Sequence, residues 1–434
     1  MSKKHPIFDS PLPVGWELIT VDDLKARETH SCVAGPFGSD ISSKYFVPEG
    51  VPVIRGSNLR DDLTPFVPKG FVYVSEEQAK KYKAQHVSAG DLIFTCWGTV
   101  GQVGLIPDDG PFREYIISNK QLKFRPDTER AIPRFLFYYF AGPEMVKHIL
   151  NRAIGAAVPG INLGILKSLE VALPPLPTQR KIMAVLSAYD DLIENNLRRI
   201  TILEEMAQNL YREWFVKFRF PGHQHARFTD SALGPIPEGW EVKNLLSVAD
   251  VTYGFAFQSK RFNSDGNGLP VVRIRDVLAG TSDTFSPEEA GKKYLVENGD
   301  ILVGMDGDFH MGFWVGGQAY LVQRVARFRS KGEIGRYHLF LALQEPIQYF
   351  DATITGTTVA HLGDKHIKTI EIKWPQTQLI NQINNILEPM LAQILNLRIK
   401  NTTLRRTRDL LLPRLISGEV DVSELDITVP EEVA

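Results

Sequence analysis

The sequence is poor in the features that announce an enzyme or an exported protein. Only two cysteines, Cys32 and Cys96, stand in 434 residues. That is too few for a disulfide framework or a cysteine zinc cluster, and a reducing, cytoplasmic setting is expected. No apolar run approaches the ~18 residues a membrane span needs. Met1-Ser2-Lys3-Lys4-His5-Pro6 leads into no apolar stretch, so neither a signal peptide nor a membrane partner is expected. The chain has no G-x-x-x-x-G-K-[ST] phosphate loop, no H-E-x-x-H, and no Asn-Pro-Pro-aromatic tetrapeptide of the kind amino-methyltransferases carry. Gly98-Thr99-Val100-Gly101-Gln102-Val103-Gly104 imitates a dinucleotide loop but lacks the acid and helix that should follow. His223-Gln224-His225 adjoins Pro221-Gly222 in a connecting segment, where an exposed pair is expected rather than a metal site. The expectation is therefore a chain with no catalytic residue, no metal and no cofactor of its own. A net charge of −2 gives no overall basic footprint, so any DNA binding must come from local patches or from basic partners.

What is present is a duplication. Leu12-Pro13-Val14-Gly15-Trp16-Glu17 returns as Ile236-Pro237-Glu238-Gly239-Trp240-Glu241. Gly50-Val51-Pro52-Val53-Ile54-Arg55 returns as Gly268-Leu269-Pro270-Val271-Val272-Arg273. Gly90-Asp91-Leu92-Ile93-Phe94 returns as Gly299-Asp300-Ile301-Leu302-Val303, and Lys123-Phe124-Arg125 as Arg327-Phe328-Arg329. Gly155-Ala156-Ala157-Val158 matches Gly356-Thr357-Thr358-Val359, and Thr178-Gln179 matches Thr377-Gln378. The spacing falls smoothly from 224 to 199 residues, as small deletions in the second copy would produce. A period this long excludes a solenoid and points to a duplicated module.

Each module opens with short β-rich runs at 51–55, 91–95, 271–274 and 300–303, bounded by Gly, Pro and Asp. A helical stretch follows at about 134–151 and again at about 337–352, giving a compact α+β globule. Each module then ends in one long helix. Leu173-Pro174-Pro175-Leu176-Pro177 precedes the first and Trp374-Pro375 the second, with Thr178 and Thr377 as candidate N-caps. In the first helix Leu186, Ile193, Ile200, Ala207 and Trp214 recur every seven residues, and Tyr189, Asn196, Leu203 and Leu210 fall three positions later. In the second, Ile380, Leu387, Ile394 and Asn401 form one row, and Ile383, Met390, Leu397, Leu404 and Leu411 the other. Two heptad seams in one chain predict that the two helices pair with each other, with Asn196 and Asn401 fixing the register. Pro389 should bend the second helix without stopping it, and Gly418 should end it. The segment 419–434, with six acids and no base, should fray. If they pair as an antiparallel coiled coil, the two globules are related by a pseudo-two-fold axis, at opposite ends of a rod longer than one turn of B-DNA.

Candidate DNA contacts lie in the loops. In the first module these are Arg55, Ser57 and Asn58, then Trp97 and Thr99, then Asn119, Lys120 and Gln121. In the second they are Arg273, Arg275 and Asp276, then Asp306, Asp308 and His310, then Gln323 and Arg324. Arg and Asn are the side chains that read guanine and adenine edges. Lys44 and Lys260 are candidate phosphate clamps, and Arg398, Lys400, Arg405, Arg406 and Arg408 form a basic run on the second helix. These loops differ between modules while the framework matches, as one scaffold displaying two recognition surfaces would require.

Together these features resemble the specificity subunit of type I restriction-modification systems. The Pro-x-Gly-Trp openings, the Gly-Asp strands, the glycine stretches at Gly155 and Gly356 and the Pro-Pro-Leu-Pro-Thr-Gln helix start carry the resemblance. The Leu-Tyr-Arg-Glu-Trp-Phe run at 210–215 and Leu-Leu-Leu-Pro-Arg-Leu-Ile-Ser-Gly-Glu at 410–419 add to it. Trp374-Pro375-Gln376 in place of the fuller proline run, and Pro389, depart from strict symmetry. The resemblance implies target recognition domains at 10–174 and 221–375, spacer helices at 175–220 and 376–420, and an acidic tail at 421–434. It implies recognition of an asymmetric bipartite site on double-stranded DNA by a non-catalytic chain. It also implies two docked methyltransferase subunits and a motor-nuclease subunit, which use S-adenosylmethionine, ATP and Mg. The assembly would be an adenine-N6 methyltransferase and ATP-dependent endonuclease. The rival readings are a self-sufficient enzyme, a scaffold whose duplicated heads grip proteins, and the specificity part of another methyltransferase-based defence system.

Overall fold

The computed structural model describes residues 4–155, 159–354 and 360–430. The chain forms two compact units, Met1–Asp191 with Arg405–Ala434, and Leu192–Leu404. Each unit holds one β-rich globule and a part of both long helices, Leu176–Tyr211 and Thr377–Ile416.

The first unit is built around the strand Leu92–Thr95. It lies third in an antiparallel sheet ordered Cys32–Ala34, Gln121–Phe124, Leu92–Thr95, Val103–Leu105. All four of its residues are buried, because apolar material covers both faces. Leu92 and Phe94 face a cluster with Phe124 and the aromatic helix Pro133–Ala141, whereas Ile93 faces Ile54, Tyr115 and Ile117 of a second sheet. That sheet runs Phe46–Val47, Val72–Val74, Val51–Ile54, Tyr115–Ile117, His86–Val87, with one parallel pairing, Val53 opposite Ile116. A third pairing joins Glu17–Thr20 to Glu170–Leu173.

The second unit repeats this plan. Its antiparallel sheet is ordered Ala249–Tyr253, Val325–Ser330, Ile301–Gly304, Met311–Phe313. Its other sheet runs Phe285–Ser286, Leu269–Val272, Ala319–Leu321, Leu295–Val296, again with one parallel pairing, Val271 opposite Tyr320. Ile301 and Val303 face one cluster and Leu302 the other, the same alternation as in the first unit.

The repeated Gly-Asp and basic-Phe-Arg tripeptides have a common purpose. Arg125 grips buried Asp91 through Nε and Nη2, both at 2.7 Å. Arg329 grips Asp300 in the same way, at 2.6 and 2.7 Å. Each carboxylate also accepts a backbone N–H from its own turn, Ser88 at 3.0 Å and Glu297 at 2.8 Å. The pair thus fastens the turn before one strand to the end of its neighbour. Lys123 and Arg327, two residues earlier in the chain, are buried too: Lys123 Nζ donates to the carbonyls of Ala84 and His86, and Arg327 to that of Leu295.

The helices hold several departures from expectation. Thr178 is not an N-cap: the first long helix already begins at Leu176, and the N–H of Thr178 donates to Pro175 O at 2.9 Å. Thr377 is likewise the first residue of its helix, and Gln376 O takes the N–H groups of Leu379 and Ile380. Buried Gln179 instead ties the first helix to its globule. It accepts from Ile132 N at 2.8 Å and donates to Arg130 O and Pro174 O. The helix expected at 134–151 is two helices, Pro133–Ala141 and Pro143–Asn151, because Gly142 takes extended backbone before Pro143. In the second unit Pro346 lies inside an unbroken helix, Arg336–Thr353.

The seams pair antiparallel within each unit. In the second, Asn196 Nδ2 donates to Asn401 Oδ1 at 2.8 Å, and Arg398 meets Glu204 at 2.8 Å. In the first, Arg408 meets Asp190 at 2.6 Å, and Tyr138 donates its hydroxyl to the same carboxylate. Arg398 and Arg408 are therefore taken up by the helix pairs, not by a basic DNA-facing stripe. The second helix passes through Pro389 and ends, as expected, before a left-handed Gly418 at φ 74°. The tail does not fray at once: Val422 is buried, and Lys181 Nζ donates to Ser423 O at 2.6 Å. Of the matched glycine stretches, Ala156–Val158 and Gly356–Val359 lie outside the described residues.

Candidate nucleic-acid interface

In the first unit the strand ends carry the candidate residues into adjoining loops. The backbone of Cys96 donates to Lys120 O at 2.8 Å, and Ile161 donates to Cys96 O at 3.0 Å. Trp97 pairs with Gly160, whose missing side chain leaves room for the indole: a Cβ there would lie 2.5 Å from the ring. Gln102 joins this loop to the turn at 55–58. Its Oε1 accepts from Thr99 Oγ1 at 2.5 Å, and its Nε2 donates to Leu59 O at 3.4 Å. Gly35 presses against Ser118 O and the backbone of Asn119. One edge of the unit therefore gathers Arg55, Ser57, Trp97, Thr99, Asn119 and Lys120, all exposed.

Two residues expected to touch DNA serve the framework instead. Asn58 is fully buried. Its Oδ1 accepts from Arg55 N at 2.9 Å, and its amide donates to Val67 O and Lys69 O at 3.0 and 2.9 Å. Gln121 is also fully buried and accepts from Ser118 N at 3.0 Å. Lys44 stands on a separate turn, Ser43–Tyr45, with Nζ 4.5 Å from the centre of the Tyr45 ring.

The second unit uses the same frame. Asp276 takes the place of Asn58: it is buried and accepts from Arg273 N at 2.9 Å. Asp276 thus holds a turn and is no base reader. Arg273 is half-buried and drawn inward, its guanidinium also bonding Thr284 Oγ1. Arg275 is exposed. Met305 N donates to Arg324 O and Leu362 N to Met305 O, both at 2.8 Å, repeating the links made by Cys96. Asp306 occupies the position of Trp97, and His361 that of Gly160. His310 N donates to Asp308 O at 2.8 Å while their side chains stay 4.0 Å apart, and Gln323 and Lys260 are exposed.

Sequence reasoning missed Phe37 and His361. Phe37 is 82% exposed at the tip of a Gly-Pro-Phe-Gly turn beside Asn119, and that tetrapeptide was its only signal. His361 lies far along the chain from the loops it joins, and nothing in its neighbourhood announces it. Burial pushes the Cys32 and Cys96 thiols up to about 11, so neither offers a thiolate near neutrality. Among the described residues no group of His, Cys, Asp and Glu could hold a metal ion, and no helix is long and apolar enough to cross a membrane.

Residues 13–205 and 237–404 match the family described as the type I restriction modification DNA specificity domain. The chain belongs to that family. The MjaIX specificity subunit of Methanocaldococcus jannaschii is 23% identical over 433 residues, covering 95% of both chains. The EcoBI specificity subunit of Escherichia coli is 30% identical over 196 residues, 44% of this chain and 41% of that one. The crystal structure of the type I restriction-modification S subunit from M. genitalium superposes with a TM-score of 0.54 at 16% identity, covering 96% and 99% of the two chains. The fold is that of a specificity subunit: two homologous recognition domains, each followed by a long helix. DNA sequence recognition is the task of this family.

Proposed function

We propose that this chain is the specificity subunit of a type I restriction-modification complex. Each unit reads one half of an asymmetric bipartite DNA site through its loop edge. One observation carries this reading. The two units share strand order, anchoring ion pair and turn caps, yet they carry different side chains at matched positions: Trp97 against Asp306, and Lys120 against Arg324. A duplicated frame with divergent loops fits two different half-sites.

The long helices would dock two methyltransferase subunits and, through them, the motor-nuclease subunit. Apolar side chains left in solvent on the first helix, Leu192, Leu197, Ile202 and Met206, support such a surface. S-adenosylmethionine, ATP and Mg would be used by those partners, in the cytoplasm. Helix length would set the gap between half-sites.

The test is genome-wide mapping of N6-methyladenine with the gene intact, deleted, and carrying a homologous exchange of residues 10–174. Loss of one bipartite motif on deletion, and a change in one half-site on exchange, are expected. A motif unaffected by deletion, while the neighbouring methyltransferase is expressed, would refute the reading in favour of a protein scaffold.

A further inference from the structure

Arg324 is the last of the three residues linking strands Ala319–Leu321 and Val325–Ser330, and its φ is 75°. Glycine or asparagine would take this left-handed backbone at little cost, whereas a long side chain there is strained. Such strain persists where the side chain has work to do. Arg324 is half-exposed, and its surroundings hold it in place. Asp306 uses one carboxylate oxygen for each of two cationic or proton-bearing neighbours: Oδ2 lies 3.5 Å from Arg324 Nε, and Oδ1 lies 2.6 Å from His361 Nδ1. At 2.6 Å from a carboxylate, Nδ1 of His361 carries the proton and donates. Its closeness to Arg324 Nη1, 3.3 Å, is then a packing contact that limits where the guanidinium can swing. The loop bearing Asp306 is fixed in turn by Gly307 N donating to Ala360 O at 3.0 Å, and by Leu362 N donating to Met305 O.

We infer that Arg324 reads a guanine in the second half-site, and that Asp306, backed by His361, is the residue that positions it. This rests on the DNA-reading role proposed above. A carboxylate on Nε orients the plane of the guanidinium and leaves the Nη edge for the O6 and N7 acceptors of guanine in the major groove. Pre-setting that plane in the free protein removes part of the ordering entropy that a four-bond side chain would lose on binding. The first unit is built differently here. At the matched positions it carries Lys120, Trp97 and Gly160, which cannot form a bidentate fork with a buttressing carboxylate. The inference therefore assigns the carboxylate-buttressed arginine fork to the second half-site alone.

The experiment uses the specificity chain assembled with its methyltransferase subunits. Once the wild-type motif is known, the assembly methylates a plasmid library randomised across both half-sites, and sequencing reports the preference at each position. Arg324→Ala is expected to lower the preference for guanine at one position of the second half-site by about 10- to 100-fold, leaving the first half-site intact. Asp306→Asn should weaken selectivity at the same position by a smaller factor, because the fork survives but swings. Unchanged motifs in both variants would overturn the inference. So would an even fall in methylation across all sequences, the signature of a phosphate contact. If Arg324→Ala fails to assemble, Asp306→Asn decides alone: a change confined to that position upholds the inference and no change overturns it. A wild-type assembly that shows no bipartite motif would instead refute the DNA-reading role itself.

Discussion

The Asn196–Asn401 pair gives a test in which two changes should cost less than one. Both residues are buried, at 9% and 3% exposure, and Asn196 Nδ2 is the donor to Asn401 Oδ1 at 2.8 Å. Asn401 in turn donates to Ile193 O at 3.3 Å. Asn196→Leu removes the donor and leaves a buried carbonyl oxygen unsatisfied, which costs about 1–3 kcal/mol. Asn401→Leu strands the Asn196 amide in the same way. The double variant buries two apolar groups and strands neither amide, so it should lie within about 1 kcal/mol of the parent or above it in stability. Hydrogen exchange read on peptides spanning 193–204 and 394–404 measures local opening, which a global melt of two units would blur. The refuting result is a double variant destabilised by the sum of the singles or more. The recovered stability should come with a loss of register discipline, because a lone polar pair in a seam selects one alignment at the expense of strength.

Three further outcomes follow from the same kind of accounting. Asp91→Ala should destabilise the first unit by about 1–3 kcal/mol, since it removes the buried acceptor of Arg125 and of Ser88 N while Arg125 keeps Glu28; urea unfolding followed by exchange should show the second unit untouched. His338 is buried between Tyr211 and Phe215, and burial pushes its pKa from 6.5 down to about 3. Because the unfolded chain then binds a proton that the folded one refuses, stability is full above pH 6.5 and falls as the pH drops toward 3, by about 3 kcal/mol at pH 4. His338→Leu should flatten that slope in the second unit, and an unchanged acid transition would contradict it. Gly160→Ala places a Cβ against the Trp97 ring, so it should shift the Trp97 fluorescence and alter the first half-site only; an unaltered motif would remove Trp97 from the recognition edge.

The frame was legible because it repeats. Matched Gly-Asp and basic-Phe-Arg segments are the two ends of one ion pair, and the heptads read directly as buried seams. The site was less legible, because residue type alone does not say which way a side chain faces. Asn58 looked like an adenine reader, but polar side chains that bond neighbouring backbone favour turns, and here it holds one. Asp276 shows the same ambiguity with a charge. His361 joins Asp306 across 55 residues, a pairing no local pattern encodes. The caps were misplaced, because the first helix begins inside the proline run at Leu176, ahead of Thr178, and the second takes Thr377 as its first residue.

The division of the chain bears on the order in which it can be made. The second unit, Leu192–Leu404, is continuous, whereas the first joins Met1–Asp191 to Arg405–Ala434. On the ribosome the first globule emerges early but lacks Leu412, Leu415 and Ile416, which share its core with Ile182, Met183 and Leu186. It must wait, with that apolar surface uncovered, while more than two hundred residues are synthesised and a complete second unit folds. Loss of the last thirty residues would therefore damage the half of the protein that was translated first.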